Sequence, residues 1–270
     1  MSLPGVVAEL EAVWASLAGL TADMDDGQWR RATGCPGWEV RDLVAHVVGT
    51  ERSLAGEHEP GAPERYPQYV RNPIGEFNER WVAHLRVLSR RDVVTALREV
   101  TAKRLQMLSA LSEADWSAPS WTPAGPGTYL DFMRIRVFDC WVHEQDIRWV
   151  LGKPGGMDGP WVDTALGIPR GALPKLVARG VGAPEGTLVE VVLEGEPERR
   201  WRVAVREGRG VEVHDGATRP SVQVRGEILD FVSRFCGRVH PQTGAGIGRL
   251  EVEGDLELGR RLLEKLPLPM

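Results

Sequence analysis

The sequence has no long apolar run, no excess of basic charge and few cysteines, and each shortage removes a class of protein. Its purely apolar stretches fall far short of the ~20 residues that a bilayer-spanning helix needs, so no membrane span is expected. Glu9 and Glu11 interrupt the apolar N-terminal stretch and no basic residue opens it. That pattern does not fit a secretory leader, and a cytoplasmic address is expected. Lys and Arg total 33 against 38 Asp and Glu, for a net charge of −5. A nucleic-acid binder usually carries a basic domain or stripe, so no nucleic-acid partner is expected. Cys35, Cys140 and Cys236 lie far apart and form no Cys-x-x-Cys, which reads as a reduced compartment without disulfides. Gly-x-Ser-x-Gly and the phosphate-binding loop are also absent. The run Gly244-Ala245-Gly246-Ile247-Gly248-Arg249 precedes an expected strand instead of following one, so it is no dinucleotide fingerprint.

What is present is ample material for a core: 270 residues, 42% hydrophobic and 26% charged, enough for one large domain or two modest ones. The first 150 or so residues have helical rhythm. Val6, Val7, Leu10, Val13, Trp14 and Leu17 recur at three- and four-residue spacing and predict a helix over 4–20. Further helices are expected at 38–55, 74–89, 92–112 and 128–151, the last ended by Gly152 and Pro154. Between the second and third, Pro60, Pro63, Pro67 and Pro73 mark a long crossover loop, and Pro119 to Gly127 break the chain again. Long helices with one crossover suggest a four-helix bundle.

The second half alternates in strand style at 188–193 and 201–205, joined through Gly195-Glu196-Pro197. More strands are expected at 210–213, 221–224 and 249–253, with helices at 161–178, 226–236 and 256–265. The chain therefore reads as α+β in two domains, 1–154 and 155–270.

The chemistry concentrates on the helix expected at 128–151. Arg136, Asp139, His143 and Asp146 are spaced 3, 4 and 3, which puts all four on one face. A seam at that spacing normally holds Leu or Val. Unpaired polar groups buried there would cost several kcal/mol, so these four must pair with one another, a metal or a ligand. Asp139 and His143, at i and i+4, can converge on one ion, and a carboxylate with an imidazole suits Zn²⁺, Ni²⁺ or Fe²⁺. His46 is the best third ligand, on the border of the apolar face of its helix. Three protein ligands leave one position open, which is a catalytic layout. The plain alternative is an i,i+4 ion pair on a solvated face. Arg136 and Asp146 fit either a structural ion-paired bracket or, for Asp146, a partner that orients a ligand.

Cys35-Pro-Gly-Trp-Glu-Val-Arg-Asp-Leu-Val-Ala-His46, taken with Arg136-Val-Phe-Asp-Cys-Trp-Val-His143-Glu-Gln-Asp-Ile-Arg148, resembles the mycothiol-dependent maleylpyruvate isomerase family. The resemblance covers nearly the whole chain, including Val252-Glu-Gly-Asp255 and Leu258-Gly-Arg-Arg-Leu-Leu263 near its end. It implies a DinB-like metal-binding four-helix bundle followed by a small α/β sandwich resembling sterol-carrier proteins. The family's metal triad is His with Glu-x-x-x-His. His46 and His143 match the histidines, and Asp139 stands where Glu is usual, one methylene shorter. The family also uses an arginine from the second domain, for which Arg238 is the candidate. What the resemblance implies is a divalent metal, Zn²⁺ first with Ni²⁺ or Fe²⁺ as alternatives, held by two histidines and a carboxylate, and mycothiol as thiol cosubstrate attacking a small electrophile, with isomerase or S-transferase outcome. Two other readings stay open: a hydrolase using metal-activated water, and a non-catalytic small-molecule or lipid-binding protein.

Overall fold

In the computed structural model, residues 5–214 and 216–267 are described. They form two compact units that divide between Leu166 and Gly167.

The first unit is helical. α1 (Gly5–Ala22), α3 (Val40–Leu54), α5 (Arg90–Ser109) and α7 (Tyr129–Leu151) form the bundle, α1 packing on α5 and α7, and α3 on α5 and α7. Short helices α2 (Asp26–Trp29) and α6 (Glu113–Ser117) serve as connectors, and α4 (Pro73–Leu85) lies against α3. By length and composition α1 is apolar enough to cross a membrane, which the interrupted apolar runs did not anticipate. Its stripe of Val6, Leu10, Val13, Trp14 and Leu17 is instead buried in the bundle. Gly49 lets α4 approach α3 closely, because a Cβ there would overlap the Trp81 side chain. The breaker-rich stretch after α6 is more ordered than its prolines and glycines suggest: β1 (Pro119–Thr122) and β2 (Gly125–Thr128) form a small antiparallel hairpin. It delivers Thr128 as the N-cap of α7, where Thr128 and Asp131 close a capping box. At the other end Gly152 adopts φ +63°, the left-handed conformation that terminates helices and favours glycine.

α8 (Trp161–Lys175) contains the division between the units, runs through Pro169 and Pro174, and passes into a π-helical turn, Leu176–Gly180. In the second unit β3 (Leu188–Glu194), β4 (Arg199–Arg206), β5 (Arg209–Glu212), β6 (Val222–Glu227) and β7 (Glu251–Gly254) form one sheet in the order β5-β4-β3-β6-β7. The expected hairpin is present as antiparallel β3–β4, whereas β3 and β6 are parallel neighbours. That crossover pairing is set by tertiary packing and has no local sequence signal. Val189, Val191, Leu193, Trp201, Val203, Val222 and Val224 share one buried face of the sheet, while Glu190, Arg202 and Gln223 meet on the other. α9 (Ile228–Phe235) brings Phe231 against Trp201, and α10 (Leu256–Lys265) packs on β6 and β7. The mixed helix-and-sheet, two-domain class expected from the sequence is the class observed.

Candidate metal centre

α3 and α7 bring the site together. Glu39 is the N-cap of α3, and its backbone N–H donates to Asp42 Oδ2 at 3.0 Å, the return bond of a capping box. One turn after Asp42, His46 faces α7. His46 Nε2 lies 3.0 Å from Asp139 Oδ2, and His143 Nε2 lies 3.6 Å from Asp139 Oδ1. The two imidazoles meet edge to face with centroids 5.0 Å apart. One ligand atom from each of His46, Asp139 and His143 falls within 4.8 Å of the others. Both histidines are buried, and Asp139 is the more open of the three, with 21% of its side chain exposed.

The surrounding groups set the charge state. Burial lowers the His46 pKa, against the pull of the Asp139 carboxylate. Burial pushes the Asp139 carboxyl up, but the charges of His46, Arg136 and His143 outweigh it and hold Asp139 well below the usual carboxylate range. Two imidazoles and an ionised carboxylate are the donor chemistry of a catalytic zinc site, so these residues fit a divalent ion. His143 Nδ1 is 3.2 Å from Asp146 Oδ2, an arrangement that fixes which ring nitrogen faces Asp139. His46 Nδ1 is buried without a hydrogen-bond partner, and this ring is held by packing: the Trp38 ring lies 5.4 Å from it and 6.1 Å from His143. Trp38 is in turn held by its Nε1–H, which donates to Glu79 Oε2 at 3.3 Å.

Arg136 belongs to a longer chain of buried charges. It donates through Nη1 to Asp139 Oδ2 and through Nε to Glu51 Oε1 at 2.9 Å. Glu51, fully buried, also accepts from Arg104 Nε at 3.0 Å, and Arg104 Nη2 donates to the Tyr129 hydroxyl at 3.0 Å. Of the polar stripe read from α7, then, Arg136 ties the site to the core, and Asp146 orients His143. Sequence reasoning missed Glu51 and Arg104. Their only signal was charge at positions of α3 and α5 that otherwise alternate toward the core. Cys140 is buried and its thiol is pushed up to about 12 by that burial, in keeping with a packing role. Cys35, by contrast, is half-buried and lies beside His143 and Asp146. In the second unit Arg238 is buried and donates from Nη1 to the Cys236 carbonyl at 3.1 Å.

Residues 10–148 match the family model described as mycothiol maleylpyruvate isomerase N-terminal domain, which spans all three converging donors. The chain belongs to the mycothiol-dependent maleylpyruvate isomerase family. Residues 163–266 match the SCP-2 sterol transfer family, so the sterol-carrier resemblance of the second half is also established. Two solved structures of the mycothiol-dependent maleylpyruvate isomerase, one a mutant, share this fold at 18% identity and a TM-score of 0.58. The mutant's alignment covers 90% of this chain and 94% of that one, and the other's covers 92% of each. Uncharacterized proteins of Mycobacterium tuberculosis strains H37Rv and CDC 1551 are 27% identical over 158 residues, 56% of this chain. The match spans 59% of the length of those relatives.

Proposed function

We propose that this family member is a metal- and thiol-dependent enzyme that uses mycothiol to attack a small electrophile, as an isomerase or an S-transferase. The observation that carries the reading is the convergence of His46 Nε2, Asp139 and His143 Nε2 inside the matched domain. A divalent ion held by these three residues, Zn²⁺ being the best fit to the donor set, would lower the pKa of a thiol at its open position so that the thiolate forms near neutral pH.

The chain's own residues favour an anionic nucleophile there. Arg104, Glu51, Arg136 and Asp139 form a continuous buried chain of two positive and two negative charges. Arg136 therefore offsets part of the Asp139 charge while Asp146 beside His143 adds one negative charge, so a dication held there would keep some of its charge uncompensated. An incoming thiolate supplies what is missing. Asp146 holds His143 in one orientation, and the Trp38 ring packs beside both imidazoles.

Thiolate addition to an activated double bond, rotation about the resulting single bond and expulsion of the thiolate give isomerisation. If the carbon–sulfur bond persists, the outcome is transfer. We assign Arg238 to the carboxylate of the electrophile, by the family's use of a second-domain arginine. Conversion of maleylpyruvate with and without mycothiol tests the reading. We expect turnover that requires the thiol and is abolished in His143→Ala. Equal turnover without thiol would contradict it, and mass spectrometry of the thiol distinguishes isomerisation, which returns it free, from transfer. Arg238→Lys should raise KM for an anionic electrophile more than for a neutral one, and an equal change for both would remove Arg238 from this role.

A further inference from the structure

The two imidazoles of the candidate site are held in different ways. His143 Nδ1 has a carboxylate, Asp146, 3.2 Å away. His46 Nδ1 is buried without a hydrogen-bond partner, so nothing on that edge fixes the turn of the ring about its Nε2 contact with Asp139. Its ring neighbours are His143 and the Trp38 indole, which lies 5.4 Å away and is tilted by 39°. We propose that Glu79, on a helix that contributes none of the three donors, is a positioning residue for the His46 ring and acts through Trp38.

Three observations carry this. The first is that the Trp38 side chain needs an anchor. Its backbone is fixed on both sides: the N–H donates to the Cys35 carbonyl at 3.1 Å, and the carbonyl accepts from Thr33 N–H at 3.0 Å and from the Thr33 hydroxyl at 2.9 Å. The side chain is only half-buried, so packing alone leaves its torsions a choice of rotamers. The bond from Nε1–H to Glu79 Oε2, at 3.3 Å, selects one of them. The second is how Glu79 is itself held. It is 2% exposed, and a carboxylate so buried is costly unless donors take up its lone pairs. The Tyr69 hydroxyl donates to the same Oε2 at 3.1 Å, and Arg86 Nη1 lies 3.6 Å from Oε1. Arg86 Nε also donates to Asp42 Oδ1 at 2.9 Å, one turn before His46, so the anchor of the indole is tied to the same stretch of α3 that carries the ring. The third is the fit of Tyr69. Its ring lies over Gly37, the neighbour of Trp38 in the chain, at φ +78°, where any Cβ would overlap it. One side chain thus presses on the turn that presents Trp38 and donates to the carboxylate that holds its indole. A histidine already set in its binding orientation gives up less freedom when it takes a metal, which is what an orienting partner contributes to affinity.

This inference rests on the reading of His46 as a metal ligand, and the experiment separates the two. Zn²⁺ affinity of the full chain is measured by competition with a chelator, and the ligand field by visible absorption of the Co²⁺ form. Wild type is set beside Glu79→Leu, Glu79→Gln, Trp38→Phe and the double variant Trp38→Phe/Glu79→Leu, with urea midpoints reporting folding separately. We expect Glu79→Leu to weaken Zn²⁺ binding about 10-fold and to change the cobalt bands, as is typical when a ligand loses its orienting partner. Glu79→Gln should restore both, because its amide oxygen still accepts from the indole. In the Trp38→Phe background, which lacks the indole N–H, Glu79→Leu should make no further difference, whereas an effect running through Arg86 and Asp42 would persist there. Wild-type affinity and bands in Glu79→Leu, a Glu79→Gln as impaired as Glu79→Leu, or the full effect retained in the Trp38→Phe background would each overturn the proposal. Should Glu79→Leu not fold, Trp38→Phe decides alone: it should bind Zn²⁺ more weakly than wild type, and unchanged affinity would overturn the role. If wild type binds no metal, the metal reading fails, and the ring is followed in the metal-free chain by NMR of isotope-labelled histidine, assigned with His46→Ala. There Glu79→Leu should shift the His46 signals, and unchanged signals would overturn the positioning.

Discussion

Asp146 makes the most specific claim at the scale of single residues. Its carboxylate sits 3.2 Å from His143 Nδ1 and so fixes the ring that offers Nε2 to Asp139. Asp146→Asn should weaken metal binding by about 10–100-fold, measured by competition with a chelator, as is typical when the partner of a ligating histidine is lost. Thr128 offers a second test, away from the site. Its hydroxyl caps α7, and Thr128→Ala should cost about 0.5–2 kcal/mol in urea unfolding at neutral pH. The Asp131 pKa is lowered, chiefly by the hydrogen bonds it accepts from Thr128. A carboxyl with a depressed folded-state pKa contributes stability above its ordinary range and loses it as pH falls through the depressed value. The gap between wild type and Thr128→Ala should therefore narrow in acid, and a gap that widens there would contradict the capping account.

At the scale of elements, the α3–α5–α7 packing rests on one buried carboxylate between two guanidinium groups. Glu51→Gln leaves Arg104 and Arg136 buried without their shared anion and should cost about 3–5 kcal/mol, read as a lower urea midpoint. Gly49→Ala should cost about 1–3 kcal/mol by forcing α3 from Trp81 on α4, and a neutral result would show that this contact is loose. The same elements show what was legible beforehand. The long helices could be read because three- and four-residue spacing survives in Val6, Leu10, Val13 and Leu17, and Thr128 and Gly152 punctuate the ends of α7. α2 and α6 span only 4 and 5 residues, too short for a period to show, and β1 and β2 are built from Pro, Gly, Ser and Thr that locally read as breakers. Arg136, Asp139, His143 and Asp146 stood out because polar residues occupied a packing stripe, and His46 because it borders the apolar face of its helix. Cys35, Glu51 and Arg104 did not, because each acquires its meaning only from a partner far away in sequence.

For the whole molecule, the sequence class and the structure agree on a helical unit followed by a sheet-containing one, matched by two family models in that order. The three cysteines give a simple global test of the packing. Alkylation of the native chain should modify Cys35 first, with Cys140 and Cys236 protected until denaturant is added, since only Cys35 is not buried. Early labelling of either buried thiol would mean that its core opens readily.

The central claim is that His46, Asp139 and His143 hold a divalent metal, and elemental analysis tests it most directly. The chain would be purified without a His-tag or added metal, wild type beside His46→Ala and His143→Ala. The account predicts zinc or a similar ion at one equivalent or more in wild type, with at least one equivalent lost in each variant. A wild type that holds no metal even after reconstitution with Zn²⁺, or variants that keep the full complement, would contradict it and reduce the polar stripe of α7 to an ion-pair network.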